Sequence, residues 1–259
     1  MVKRLFLLPG WGLGGAPLQP LADALRGLDS RLRVEIAPLP LLDSSDPLDW
    51  LDALDASLPE DVWLGGWSLG GMLAAKLAAR RGARCRGLLT LASNPCFVAR
   101  ADWPNGMSAQ HFAAFRDGCL RDAPGTLKRF GLLCAQGAAD PRSLARRLLS
   151  DAPPATGPAL ERGLELLGRL DIRGALQAFP GPQLHLFARA DGLVPAAVAD
   201  AVSALLADRE IGLIEQVGHA FMLERPEQIA ATIQAFVHKS AAEQRLVGTQ
   251  DTDEKMTKQ

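Results

Sequence analysis

The sequence predicts an α/β protein, a mostly parallel sheet with an all-helical segment inserted between two of its strands. Three observations carry that reading. Short apolar, partly β-branched runs recur at Val2–Leu8, Arg33–Ala37, Val62–Gly65, Gly87–Ala92, Gln183–Ala188 and Ile211–Val217. Helical periodicity fills most of the gaps between them, at Pro17–Arg26, Pro47–Leu58, Leu69–Ala79, Pro195–Leu205 and Pro226–Ser240. Strands that alternate with helices pair in parallel, because each helix carries the chain back to the same end of the sheet. The alternation breaks between Ser93 and Gly181, where helical patterns follow one another at Ser108–Leu120, Leu127–Ala135, Pro141–Leu149 and Pro158–Leu167 with no convincing strand.

An all-helical insert of that size reads as a cap over the edge of the sheet. Residues 1–93 and 181–240 then form the core, and residues 94–180 the cap. The closing stretch "VGTQDTDEKMTKQ" is polar and lacks an apolar face, so residues 241–259 are expected to be disordered.

Composition narrows the function classes. The chain has 259 residues, 48% hydrophobic and 22% charged, enough for one large domain with a sizeable core. A net charge of −1 argues against a whole-protein nucleic-acid or membrane-surface role. The four cysteines, Cys85, Cys96, Cys119 and Cys134, form no C-x-x-C pair and no metal-ligand spacing with histidine. Such sparse cysteines fit a reducing compartment. The apolar run in "MVKRLFLLPGWG" is shorter than the roughly 7–15 residues of a signal-peptide core. No stretch approaches the roughly 20 apolar residues that span a bilayer. The expectation is a soluble, cytoplasmic monomer without metal or cofactor.

The string Gly66-Trp67-Ser68-Leu69-Gly70 follows the apolar run Val62–Gly65 and precedes an alanine- and leucine-rich helix. An ordinary glycine-rich turn between strand and helix would look similar. Placement at that junction favours a strained turn that raises the Ser68 hydroxyl, exposed, above the sheet, with glycines giving the backbone room to bend. The helix starting there also points free N–H groups and its positive dipole end at whatever Ser68 attacks.

A serine hydroxyl needs a base, and the base needs an orienting acid. Of four histidines, His185 lies inside a strand run, His111 in the helical insert and His238 near the end of the last helix. His219, in "EQVGHAFMLERPE", alone occupies a loop at a strand's C-terminal end, where α/β sheets place their chemistry. Asp191, in "LFARADGLVP", follows the preceding strand in the same way, with Asp200 and Glu215 the next candidates for the acid. The chain order serine, aspartate, histidine is that of the α/β-hydrolase arrangement. Donors for a developing oxyanion are expected from the backbone N–H of Leu69, just after the nucleophile, and of Trp11, in the glycine-rich loop "LLPGWGLGG".

Together, "LLPGWG", "GWSLGG", "LASNPCF", "ADGLVP" and "GHAFMLERPE" resemble the α/β-hydrolase carboxylesterases. The cap segments "SNPCFVARADWPNGM" and "GLELLGRLDIRGAL" resemble more narrowly the branch that acts on the methyl ester of a pimeloyl-type acyl chain borne by acyl-carrier protein in biotin synthesis. The likeness runs from the start of the chain to about Ser240. It implies an α/β-hydrolase fold with Ser68 as nucleophile, Asp191 as acid, His219 as base and Trp11 and Leu69 as oxyanion donors. It also implies Trp11 and Trp67 as walls of an acyl pocket, with Phe130 a further substrate contact. Two departures stand out. Pro9 replaces the histidine usual before the oxyanion glycine, and the chain starts almost directly at the strand before that loop, leaving about six strands.

Between Arg116 and Arg147 the cap carries Arg116, Arg121, Lys128, Arg129, Arg142, Arg146 and Arg147 against Asp117, Asp122 and Asp140. Arg142 and Arg146, four apart, share a helix face and can grip phosphate or carboxylate with fork geometry. Charge alone favours a solvated helix face. The resemblance implies that Arg129, Arg142 and Arg146 receive an acidic acyl-carrier protein. The reading is therefore a serine carboxylesterase acting on a carrier-bound methyl ester. A general short-chain esterase, another enzyme on the same fold and a non-catalytic ligand-binding relative remain as alternatives.

Overall fold

The computed structural model describes residues 3–150, 152, 157–206 and 209–257, with side chains described as far as Glu243. Six strands form one sheet: β1 (Lys3–Leu8), β2 (Leu32–Ile36), β3 (Val62–Trp67), β4 (Cys85–Leu91), β5 (Gln183–Ala188) and β6 (Glu210–Ile214). Each matches one of the apolar runs, although Val2 lies outside the described residues. Their order is β2-β1-β3-β4-β5-β6, and every pairing is parallel. β3 and β5 are buried at every position, which is why they read as continuous apolar runs, whereas the edge strand β6 is only half-buried. From β1 the chain winds outward to β2, then returns to the other side of β1 as β3. The loops after β1 and β3 therefore diverge from a switch point, where open α/β sheets form their binding crevice.

Helices follow the strands in sequence. On the core side are α1 (Gln19–Leu28), entered through a 3₁₀ turn at Ala16–Leu18, α2 (Pro47–Ser57) and α3 (Leu69–Arg81). In the insert come α4 (Ala109–Arg121), α5 (Ala123–Cys134), α6 (Pro141–Ser150) and α7 (Gly157–Arg169), with α8 (Arg173–Ala178) after them. The chain finishes with α9 (Ala197–Leu205), α10 (Phe221–Glu224) and α11 (Pro226–Thr257). Side chains of β3 alternate between the two faces of the sheet. Trp63 points one way, edge-on to Phe236 of α11, and Gly66 points the other, against the backbone of α3. The sheet is thus covered on both faces, with α1 packed on α11 and with α2, α3 and α8 in a row.

α4 packs on α5 and α7, and α5 on α6, so the insert is a small helical layer of its own. It is fixed to the core through Trp11, whose ring meets Phe115 and Phe130 edge-on and whose indole N–H donates to the Leu160 carbonyl at 2.8 Å. α8 already packs on α3, ahead of the expected return to the core at residue 181. α11 runs on past Ser240, through a segment for which the sequence suggests disorder. Ala241, Ala242 and Glu243, which follow Ser240, are strong helix formers that carry α11 beyond it.

Candidate active site

β3 ends at Trp67 and α3 starts at Leu69, leaving Ser68 as the N-cap with φ 54° and ψ −119°. A residue with a side chain rarely adopts that backbone, and strain of this kind persists only when the surroundings fix it. Here they do. Ser68 N–H donates to Leu91 O at 2.8 Å, and Ser68 O accepts from Gly71 N at 3.1 Å, Met72 N at 3.2 Å and the Ser93 hydroxyl at 2.9 Å. At this turn α3 approaches the strands so closely that only glycines fit between them. A Cβ on Gly66 would overlap the Gly70 backbone, and one on Gly70 would overlap the carbonyls of Leu8 and Pro9. Ser68 is 4% exposed rather than open to solvent, since the helical layer lies over this end of the sheet.

His219 and Asp191 meet in the loops after β6 and β5, their side chains fully buried, with Nδ1 to Oδ2 at 2.7 Å. The other carboxylate oxygen, Oδ1, accepts the backbone N–H groups of Leu193 at 2.7 Å and Val194 at 2.9 Å. Those two bonds leave Oδ2 facing the ring. A carboxylate only accepts, so Nδ1 carries the proton and Nε2 of the neutral ring is the basic nitrogen. Nε2 is buried and has no hydrogen-bond partner among the described residues. Trp67, next to Ser68, ties this loop to the turn: its indole N–H donates to His219 O at 3.0 Å, and the two rings lie 5.5 Å apart.

The remaining histidines have other roles. His185 bonds Thr90 Oγ1 at 2.7 Å and Gln183 Oε1 at 3.2 Å, and burial pulls its pKa down to about 3. Since Gln183 Nε2 is committed to the carbonyls of Leu176 and Phe179, Oε1 accepts from His185 Nε2–H, and the ring is a neutral core residue. His238 bonds Asp29 at 2.8 Å, joining α11 to the end of α1, and His111 is exposed on α4. Glu215, an alternative acid, is paired with Arg189 at 3.0 Å on the surface.

A cavity of about 390 Å³ adjoins the turn, with Gly10, Trp11, Leu39, Leu42, Trp50, Leu69 and Leu160 in its wall. Both residues expected to stabilise an oxyanion, Trp11 and Leu69, line it. As the first residue of α3, Leu69 has an N–H with no acceptor inside the helix. Trp67 and Phe130 are not in the wall. Trp67 is wholly buried beneath the His219 loop, and Phe130 stands behind Trp11 with ring centroids 5.0 Å apart. Arg129, on α5, and Arg142 and Arg146, on α6, are exposed and lie outside that wall. With Arg121, Lys128 and Arg147 they form no ion pair among the described residues, unlike Arg4, Arg80 and Arg81 of the core and Arg173 on α8, which all pair with carboxylates. Among the described residues no His, Cys, Asp and Glu cluster could hold a metal ion. No described helix is long and apolar enough to cross a membrane.

A model of the alpha/beta hydrolase family matches residues 5–232. The chain belongs to that family. Within it, the chain is a relative of the pimeloyl-[acyl-carrier protein] methyl ester esterases. The one from Aeromonas hydrophila is 35% identical over 244 residues, covering 90% of this chain and 94% of that protein. The one from Xanthomonas oryzae is 36% identical over 243 residues, 90% and 94% of the two chains. A biotin biosynthesis bifunctional protein of Cellvibrio japonicus is 35% identical over 238 residues, and the chain spans about half of it, 47%. Among solved structures, an esterase from Exiguobacterium antarcticum has a TM-score of 0.78 at 20% identity, covering 91% of this chain and 92% of that one. A bromoperoxidase from Bacillus anthracis has a TM-score of 0.80 at 18% identity, covering 92% of each chain. The two structures share the fold.

Proposed function

We propose that this chain is a serine carboxylesterase that hydrolyses the methyl ester of a pimeloyl-type acyl chain carried on acyl-carrier protein, releasing methanol. The observation that carries the reading is the buried Asp191–His219 pair, with its basic nitrogen unpartnered and its loop tied through Trp67 to the Ser68 turn. In the proposed course Ser68 Oγ attacks the ester carbonyl as its proton passes to His219 Nε2. The N–H groups of Leu69 and Trp11 hold the oxyanion. His219 then returns the proton to the departing methoxide, leaving an acyl-enzyme. Water attacks the acyl-enzyme, gives a proton to His219, and the tetrahedral species collapses to the free carboxylate and Ser68, which takes that proton back.

The apolar wall formed by Leu39, Leu42, Trp50 and Leu160 supports an aliphatic substrate. The cations on α5 and α6 that pair with no described carboxylate support an acidic partner, and the names of the relatives support a carrier protein. We read the enzyme as a cytoplasmic monomer that uses no metal or organic cofactor, and its four buried free cysteines suit a reducing compartment.

Two substrates test the proposal together. On a carrier protein bearing the methyl ester, turnover is expected to lower the carrier's mass by one methylene, with the acyl thioester retained. Reversing Arg142 and Arg146 to glutamate is expected to lower kcat/KM for that substrate about tenfold at low salt. A small soluble ester should be hydrolysed at the wild-type rate. Charge steering acts on the encounter and is screened by salt, so added salt should slow the wild type on the carrier substrate and narrow the gap. Equal losses on both substrates would assign the arginines to cap structure, and no loss on either would return them to a solvated helix face.

A further inference from the structure

The connection between α5 and α6 reaches across to both loops that hold the buried pair. Gly137 sits at φ 86°, and a Cβ there would overlap Ala190 O, next to Asp191. A Cβ on Gly218, next to His219, would overlap Gln136 O. Gln136 Oε1 also lies against Gly192. Three backbones therefore meet here, each with its own N–H groups to satisfy. Glu224, at the end of α10, serves two of them: Oε1 accepts the Gly218 N–H and Oε2 the Ala139 N–H, each at 3.3 Å. One carboxylate thus bridges the loop of the base and the insert that carries the cationic surface.

We propose that Glu224 is a positioning residue that locks the α5–α6 connection and the His219 loop in one register. The inference rests on the reading of His219 as base. A carboxylate suits the position because it presents two acceptors to two donors. Glutamine keeps the size and offers one acceptor, so it must turn its NH₂ toward one of the N–H groups. Breaking the bridge frees the His219 loop to drift from the turn, and displacements of about 1 Å at a catalytic group can cost roughly 100-fold in rate.

The test compares Glu224→Gln and Glu224→Ala with the full-length wild type by amide hydrogen exchange and by steady-state hydrolysis of p-nitrophenyl acetate. Expected for Glu224→Ala is faster exchange in residues 136–140 and 216–220 together, and for Glu224→Gln faster exchange in at least the segment that loses its acceptor. The kcat of Glu224→Gln should fall about tenfold, with KM and Tm close to wild type. If the alanine variant fails to fold, the glutamine variant decides. Faster exchange in neither segment overturns the bridge, and so does faster exchange in only one of them in a folded Glu224→Ala. A lowered Tm with kcat within twofold of wild type marks a merely structural contact and overturns it too. The exchange arm involves no chemistry, so it stays decisive even if turnover by Ser68→Ala removes the reading of the base.

Discussion

Ser68→Ala is expected to lower kcat/KM on any ester by a factor of about 10⁴ or more, the scale on which triad members act. The fold should be unaffected. Alanine accepts the same φ of 54° at the same cost as serine, and the bonds that fix the turn run through the Ser68 backbone N–H and carbonyl, not through its hydroxyl. Circular dichroism and Tm should therefore overlay the wild type. The residual rate, if measurable, comes from the oxyanion donors and binding alone. Turnover near the wild-type level in a folded Ser68→Ala variant would remove the acyl-enzyme mechanism altogether.

Asp191→Asn should cost nearly as much, about 10⁴ in kcat, through the tautomer of His219. Oδ1 of Asp191 is held by two backbone N–H donors, Leu193 and Val194. In asparagine the amide oxygen must keep that place, which turns the NH₂ toward His219 Nδ1. The ring then accepts at Nδ1, carries its proton on Nε2 and has no lone pair left for the serine proton. Geometry is preserved and basicity is lost, so kcat falls while KM for a small ester changes little. A kcat within tenfold of wild type would send the search for the acid elsewhere.

Much of this arrangement is legible in the sequence because it rests on local rules. Apolar runs between glycines and prolines mark strands buried on both faces, and polar residues just past their ends fall at one edge of the sheet. Ser68, Asp191 and His219 were accessible in that way. Helix starts in the insert were harder. α5 begins at Ala123 rather than Leu127 because Asp122 caps it, accepting from Gly125 N at 2.9 Å, and Pro124 occupies a first-turn position that needs no N–H donor. The segment "DAPG" looks like a turn but is a helix start.

What the sequence withholds is long-range pairing. Nothing near Ser93 says that its hydroxyl will bond Ser68 O, and nothing near Glu224 says that it will bond Ala139, 85 residues away, as well as nearby Gly218. Trp67 shows the same limit. The family resemblance implies Trp67 as a pocket wall, yet its indole N–H finds the carbonyl of His219, 152 positions away, and its ring is buried. Such contacts depend on strand order, and strand order is set by the whole sheet.

The central claim is that Ser68 is a nucleophile activated by His219, and covalent trapping tests it most directly. A fluorophosphonate reacts with an activated serine by displacing fluoride and leaves a stable phosphonyl ester. After treatment, peptide mass mapping should place one adduct on Ser68, formed in step with loss of esterase activity and suppressed in His219→Ala. An adduct on a different serine, or full inactivation with Ser68 unmodified, would contradict the account.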